Sequence, residues 1–294
     1  MTDTKPAGLS PAWTAAASAL FIFFWASGFV SAKYGFPYAE PFTFLSLRFL
    51  VAVALLLPLT RLWRVTWPRG RAAWIHVIVA GLMVQTVYLI GVFYGIYLGI
   101  STGVIALIVG LQPLVTGALA APVLGEHVSP RQWSGLALGF AGLGLVVADK
   151  VNFAQGQSWG VAFGLLGLGG ITLGTLYQKR YSANADIRAA VVIQNAASLA
   201  VIAPLAFLVE TRHIDWTGEF LFALFWSSIG LSVIAIALYY VLVRRGAAAR
   251  VTSLIYLSPP TTALMGWLMF GETFGLVALG GMAVAVAGVA LANR

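Results

Sequence analysis

Cysteine is absent from these 294 residues, which excludes disulfides and thiolate metal sites. Charge is scarce as well. Asp, Glu, Lys and Arg together make up 9% of the chain, against about 25% in soluble domains, too little to furnish an ordinary aqueous surface. Histidine is limited to His76, His127 and His213, which show no metal-ligand spacing. No nucleophile–base pair stands out. An enzyme is therefore not expected, nor a cofactor or metal. The start of the chain lacks the basic stretch, short apolar core and small-residue cleavage pattern of a signal peptide, so the first apolar run is expected to be retained.

What the chain has in abundance is apolar sequence, at 60% of residues. Ten apolar stretches recur, each near the roughly 20 residues that a spanning helix needs. They fall at 12–33, 41–60, 72–97, 102–124, 130–148, 157–178, 187–209, 219–243, 247–270 and 274–292. The expected fold class is an all-α integral membrane protein of ten transmembrane helices. Ser10-Pro11 and Ser129-Pro130 read as an N-cap followed by proline at the first helical position, and Asp186 as the cap of the seventh helix.

The net charge of +8 is a topology signal rather than a nucleic-acid surface. With the N-terminus inside, Arg61, Arg64, Arg69, Arg71, Arg131, Lys179, Arg180, Arg188, Arg244, Arg245 and Arg250 all fall on the cytoplasmic side. The outer segments hold only Lys33, Lys150 and Arg212. This is the positive-inside pattern, and it places both termini in the cytoplasm of a multi-pass protein of the cell inner (plasma) membrane.

A shift of 146 residues lays the second half over the first without a gap. Gly125-Glu126 falls on Gly271-Glu272, Pro113 on Pro259, Pro58 on Pro204, Lys33 on Lys179, Gly28 on Gly174 and Tyr94 on Tyr240. The organisation read from this is a cytoplasmic tail at 1–11, a first five-helix repeat at 12–148, an outer connecting loop at 149–156 and a second repeat at 157–292. Five spans per repeat is an odd number, so the repeats are inverted. That arrangement is characteristic of secondary transporters, with the substrate near the midplane between the repeats and alternating access as the mechanism.

The segment from Phe44 through Arg48 to Leu50 resembles the arginine-containing second helix of the EamA family, in the drug/metabolite transporter superfamily. The stretch from Pro113 through Gly125-Glu126 to Gly135 resembles that family's proline and Gly-Glu signature, and Pro259 to Gly281 repeats it. Within the family the chain is most similar to the YddG-type amino-acid exporters. The resemblance implies a ten-helix inverted-repeat fold and export of amino acids or related metabolites. The arginine departs from the repeat, since the counterpart of Arg48 is Gln194.

None of the nine acidic residues falls deep in a span; Glu40, Glu126, Asp149, Asp186 and Glu272 all sit at helix ends. Proton antiport built on a midplane carboxylate is thus disfavoured, and facilitated or weakly coupled export is expected. The same lack weighs against the alternative of a multidrug or cationic-compound exporter. A passive channel is the other alternative, and inverted repeats speak against it. Glu126 and Glu272 read as helix N-terminal caps or as gating residues. Arg48, well inside the second span, either locks the bundle through carbonyls or Glu40, or binds a substrate carboxylate. Lys33 and Lys179 either snorkel to the headgroups or guard the two cavity mouths. Pro113 and Pro259 are fixed kinks or hinges. The polar and aromatic candidates for a substrate-binding lining are Trp25, Ser27, Gln85, Tyr88, Tyr94, Gln112, Thr175, Tyr177, Tyr239, Tyr240, Tyr256 and Ser258, which suit an apolar or aromatic side chain with a polar end. The expected partners are a small-molecule substrate and the lipid bilayer, with no nucleic acid; a monomer is compatible with the sequence.

Overall fold

The structure is a computed structural model, and it describes residues 11–124, 129–151, 157–235, 238 and 257–292. Those residues are almost wholly helical. Helices α1 (Pro11–Gly35) and α2 (Pro41–Leu62) come first. Helix α3 (Arg71–Gly81) runs through a π-helical segment, Leu82–Val87, into α4 (Tyr88–Tyr97). Helices α5 (Thr102–Gly110), α6 (Gln112–Leu124), α7 (Pro130–Lys150), α8 (Ser158–Tyr181) and α9 (Ile187–Val209) follow. Helix α10 (Gly218–Phe225) leads into a second π-helical segment, Trp226–Ala235. Helices α11 (Ser258–Phe270) and α12 (Leu276–Ala292) close the order.

Six of these segments are long and apolar enough to cross a membrane: Ala16–Gly35, Pro41–Leu62, Arg71–Tyr97, Thr102–Leu119, Ser158–Tyr181 and Ile187–Val209. Gly218–Leu231 and Leu276–Leu291 are shorter apolar helices. The first half of the expected ninth span and part of the eighth lie outside the described residues. Large apolar side chains cover much of the outer surface, and several polar ones are buried beside the apolar core. Leu50, Phe207, Leu208, Leu264, Trp267 and Leu276 are exposed, while Ser27, Thr86, Thr172, Gln194, Asn195, Ser198 and Ser228 are buried. Lipid as solvent accounts for this: the outer surface meets hydrocarbon, and polar groups find partners only inside.

The caps expected at Ser129 and Asp186 are present, while Ser10 lies outside the described residues. Ser129 and Gln132 form a capping box at α7, with Pro130 in the first turn. The Asp186 side chain caps α9 by accepting from the Arg188 backbone N–H. The Arg188 guanidinium also hydrogen-bonds that carboxyl and, with the backbone N–H groups of Thr66 and Arg188, holds it down to about 2, so the cap stays ionised across physiological pH. The expected kink in the fourth span is a break. Helix α5 ends at Gly110, Leu111 caps it, and α6 starts at Gln112-Pro113. Proline at the second position of α6 cannot donate back into α5, so the two pieces join without a continuous ladder.

Every described helix of the first half packs most extensively against the second half. Helix α2 lies on α9, α4 on α8, α5 on α11 and α7 on α12, while α1 lies against α10, the second π segment and α11. Glycine sets the closest of these approaches. A Cβ on Gly91 would meet the Gly167 Cα at 2.5 Å, and one on Gly288 would meet the Gly135 carbonyl at 2.6 Å. Small-residue faces of this kind let membrane helices approach closely. Gly91→Ala is expected to destabilise by about 2 kcal/mol, because the obstacle is backbone and cannot swing aside. Gly169→Ala, which faces open space, is the control, and a detergent thermal melt of both variants checks it.

Candidate functional site

The two π segments occupy matched positions, since adding 146 to Leu82 and Val87 gives Ser228 and Val233, inside Trp226–Ala235. A π turn is wider than an α turn and recurs at functional sites. Here each wide turn is received by a glycine from the other half of the chain. Gly174 of α8 lies against Val84, with a would-be Cβ only 3.1 Å from the Val84 backbone nitrogen. Its repeat mate Gly28, on α1, lies against Leu231. A side chain at Gly174 would press on the π-turn backbone, and one at Gly28 would press on the Leu231 side chain.

Between the two π segments is a cavity of about 120 Å³. Trp25 and Gly28 of α1, Arg48 of α2, Gln85 and Tyr88 of the first π region, and Leu231 of the second line it, with further apolar residues including Phe93. Arg48 is 6% exposed, and its buried Nε has no hydrogen-bond partner. The Arg48 backbone carbonyl accepts from Ser228 Oγ at 3.4 Å, a contact that does not involve the guanidinium. Glu40, one of the partners offered for a bundle-locking Arg48, is engaged elsewhere. The Glu40 carboxylate accepts instead from the Thr211 backbone N–H and hydroxyl, at 2.7 and 2.6 Å. The other half of that clasp is Glu210, which accepts from the backbone N–H groups of Phe42 and Thr43, both at 2.7 Å, and so caps α2 from the loop after α9.

Of the lining residues read from the sequence, Trp25, Arg48, Gln85 and Tyr88 come together in this cavity. Ser27 lies between the lining residues Trp25 and Gly28 but is turned elsewhere; its hydroxyl donates to the Phe24 carbonyl and accepts from Trp226 Nε1 at 2.8 Å. The others are placed elsewhere. Tyr94 donates to Glu210 at 3.0 Å, Gln112 to Thr116 Oγ1, and Thr175 to the Ile171 carbonyl one turn back. Tyr177 bonds His76 Nδ1 at 2.8 Å at the opposite end of the bundle, and Ser258 is buried at the start of α11. Tyr239, Tyr240, Tyr256 and Glu126 lie outside the described residues. Pro259 packs on Gly110, 2.8 Å from a would-be Cβ there, so the two matched proline regions lie together. Lys179 sits in the last turn of α8.

At one end of the bundle, Lys33 does not snorkel outward. Its Nζ is 2.7 Å from Glu272 Oε1 and 4.9 Å from the Phe270 ring centroid. Glu272 Oε1 also accepts from the Thr102 backbone N–H at 3.0 Å, and Oε2 from the Thr102 hydroxyl at 2.9 Å. Glu272 therefore caps a helix N-terminus, as one of its readings held, but the helix is α5 rather than its own. Gly266 leaves the space in which the carboxylate sits. One buried carboxylate thus ties the end of α1, the start of α5 and the α11–α12 link.

A model of the EamA-like transporter family matches residues 12–148 and 158–294. "Uncharacterized transporter YvbV" of Bacillus subtilis (strain 168) is 27% identical, over 95% of this chain and 91% of its own length. "Uncharacterized inner membrane transporter YedA" of Escherichia coli (strain K12) is 27% identical, over 93% and 89%. A "WAT1-related protein", chloroplastic, of Arabidopsis thaliana is 28% identical, over 96% of this chain and 69% of its own. One solved crystal structure superposes with a TM-score of 0.68 at 20% identity, covering 96% of this chain and 97% of that one; at that identity the likeness shows the fold.

Proposed function

The chain belongs to the EamA-like transporter family, and on that premise we propose that it is a secondary transporter exporting amino acids and related small metabolites of the YddG type, including aromatic and apolar ones. General membrane transport by a multi-pass protein follows from the family itself. The finer reading rests on one observation: Arg48 is buried beside a central cavity with its Nε unpaired. A buried guanidinium without a counter-charge is costly. A substrate carboxylate would supply the missing charge and two planar acceptors that match the guanidinium fork. Trp25, Phe93 and Leu231 offer the apolar body of the substrate a surface.

Alternating access of two inverted five-helix repeats is the mechanism we propose, with both termini in the cytoplasm of the inner membrane. The paired π segments and the matched proline regions support it, because each occurs once per half and meets its mate or its mate's glycine. At about 120 Å³ the cavity is smaller than common ligand pockets of roughly 300–1,000 Å³. Loading therefore requires the helices to part. The Lys33–Glu272–Thr102 cluster is the outer gate of this reading, and its hydrogen bonds would hold that gate shut. A cationic-drug exporter is the weaker reading, since Arg48 would repel its substrate.

Counterflow of radiolabelled phenylalanine and N-acetylphenylalanine into proteoliposomes is the test. Flux of at least one is expected to saturate. Flux that rises linearly to the solubility limit for both would overturn the carrier.

A further inference from the structure

Charge balance in the cavity narrows what can fill it. Arginine stays protonated in proteins, so the site carries a full positive charge. Among the described residues, no acidic one lines the cavity. The described acids nearest in the fold are engaged elsewhere: Glu40 with Thr211, Glu210 with α2 and Tyr94, Glu272 with Lys33 and Thr102, Asp186 with Arg188. Between Glu219 and Glu272 the sequence contains no Asp or Glu at all, so the stretch that includes the second π segment brings no counter-charge. A zwitterionic amino acid would leave the loaded site with a net charge of +1 and bring its ammonium within a few ångströms of the guanidinium. A monoanion would leave it neutral. Buried net charge is costly in low dielectric, and like charges that close repel.

We infer that, among the amino acids and related metabolites proposed above, the species carried in preference is a monoanion: a carboxylate with an apolar body and no free ammonium, such as an N-acylated amino acid or a 2-oxo acid. This rests on the reading of Arg48 as the substrate's carboxylate site. Gln85 and Tyr88 supply neutral hydrogen-bonding groups beside the guanidinium, as a carboxylate needs once one face is taken. Transport of such a species moves one negative charge per cycle. An interior-negative membrane then drives it outward, with a bias of about fiftyfold at 100 mV. Export needs no coupling proton, which fits a chain whose carboxylates sit at helix ends.

The test uses the full chain in proteoliposomes with a potassium diffusion potential set by valinomycin. Labelled N-acetylphenylalanine and phenylalanine are the two probes. N-acetylphenylalanine is expected to be carried in preference, and reversing a 100 mV potential to shift its steady-state distribution by tenfold or more, toward about fiftyfold per 100 mV. Saturable phenylalanine flux indifferent to potential, with N-acetylphenylalanine excluded, would overturn the inference and leave the amino-acid exporter standing. Saturable N-acetylphenylalanine flux indifferent to potential would also overturn it. Absence of saturable flux for both probes would take the carboxylate-transporter reading down with it.

Discussion

Arg48→Gln is expected to raise the half-saturation concentration for a carboxylate substrate about a hundredfold while the melting temperature holds or rises. The first half follows from chemistry. A charge-assisted pair in a dry site is worth about 3 kcal/mol, and each 1.4 kcal/mol is tenfold in affinity. The second half distinguishes this role from a structural one. A bundle-locking arginine would bond to carbonyls or a carboxylate, and its loss would leave those partners unsatisfied. Here Nε is buried without a partner, and Ser228 bonds the backbone carbonyl rather than the side chain. Glutamine already stands at the matched position, Gln194, buried on α9 against Gly81. A proteoliposome concentration series and a thermal melt of the same preparation decide it. A lowered melting temperature with unchanged half-saturation would return Arg48 to a purely structural role.

Lys33→Met is expected to open the proposed outer gate by about a hundredfold in the open-to-closed ratio, and Glu272→Gln by less. Glu272 is the buried member, with a side chain 6% exposed, whereas Lys33 is 34% exposed and reaches water when freed. Removing the lysine strands a carboxylate that only Thr102 still satisfies, and breaking a buried pair this way costs about 3 kcal/mol. Removing the carboxylate costs less. The double variant is expected to recover part of the Lys33→Met effect, because the two sites share one interaction. The natural absence of cysteine makes the measurement clean: a single Val92→Cys on the cavity wall is labelled from outside by an impermeant maleimide. Faster labelling in Lys33→Met than in Glu272→Gln is the predicted order. Unchanged rates in both would remove the gate.

The elements were legible in the sequence because lipid imposes a simple rule on them. Helix α9 was expected at 187–209 and runs Ile187–Val209, since a spanning segment must be long, apolar and helical whatever its neighbours. The Ser129 and Asp186 caps were legible for the same kind of reason, since each depends on residues within a turn, whereas Pro113 was read as a kink and proves to sit just past a break. Candidate site residues were harder. Tyr94 and Tyr177 sit on spanning helices with aromatic rings at plausible depths, yet Tyr94 reaches Glu210 and Tyr177 reaches His76, each from another segment. Depth along a helix is readable from sequence, whereas the direction a side chain takes around the bundle is not. The π segments left no compositional mark. Their one trace was the shared glycine pair, Gly28 and Gly174, whose meaning appears only when the facing Leu231 and Val84 are placed.

The sequence by itself determined the solvent, the helical class and the family, because hydropathy, caps and the 146-residue echo are properties of short segments and of spacing. Only the tertiary structure decided which charges meet. Arg48 and Glu40 lie eight residues apart and do not pair, while Lys33 and Glu272, 239 residues apart, do. In a low-dielectric interior that difference sets the chemistry. A compensated pair can close a bundle, and an uncompensated cation waits for an anion from outside the chain.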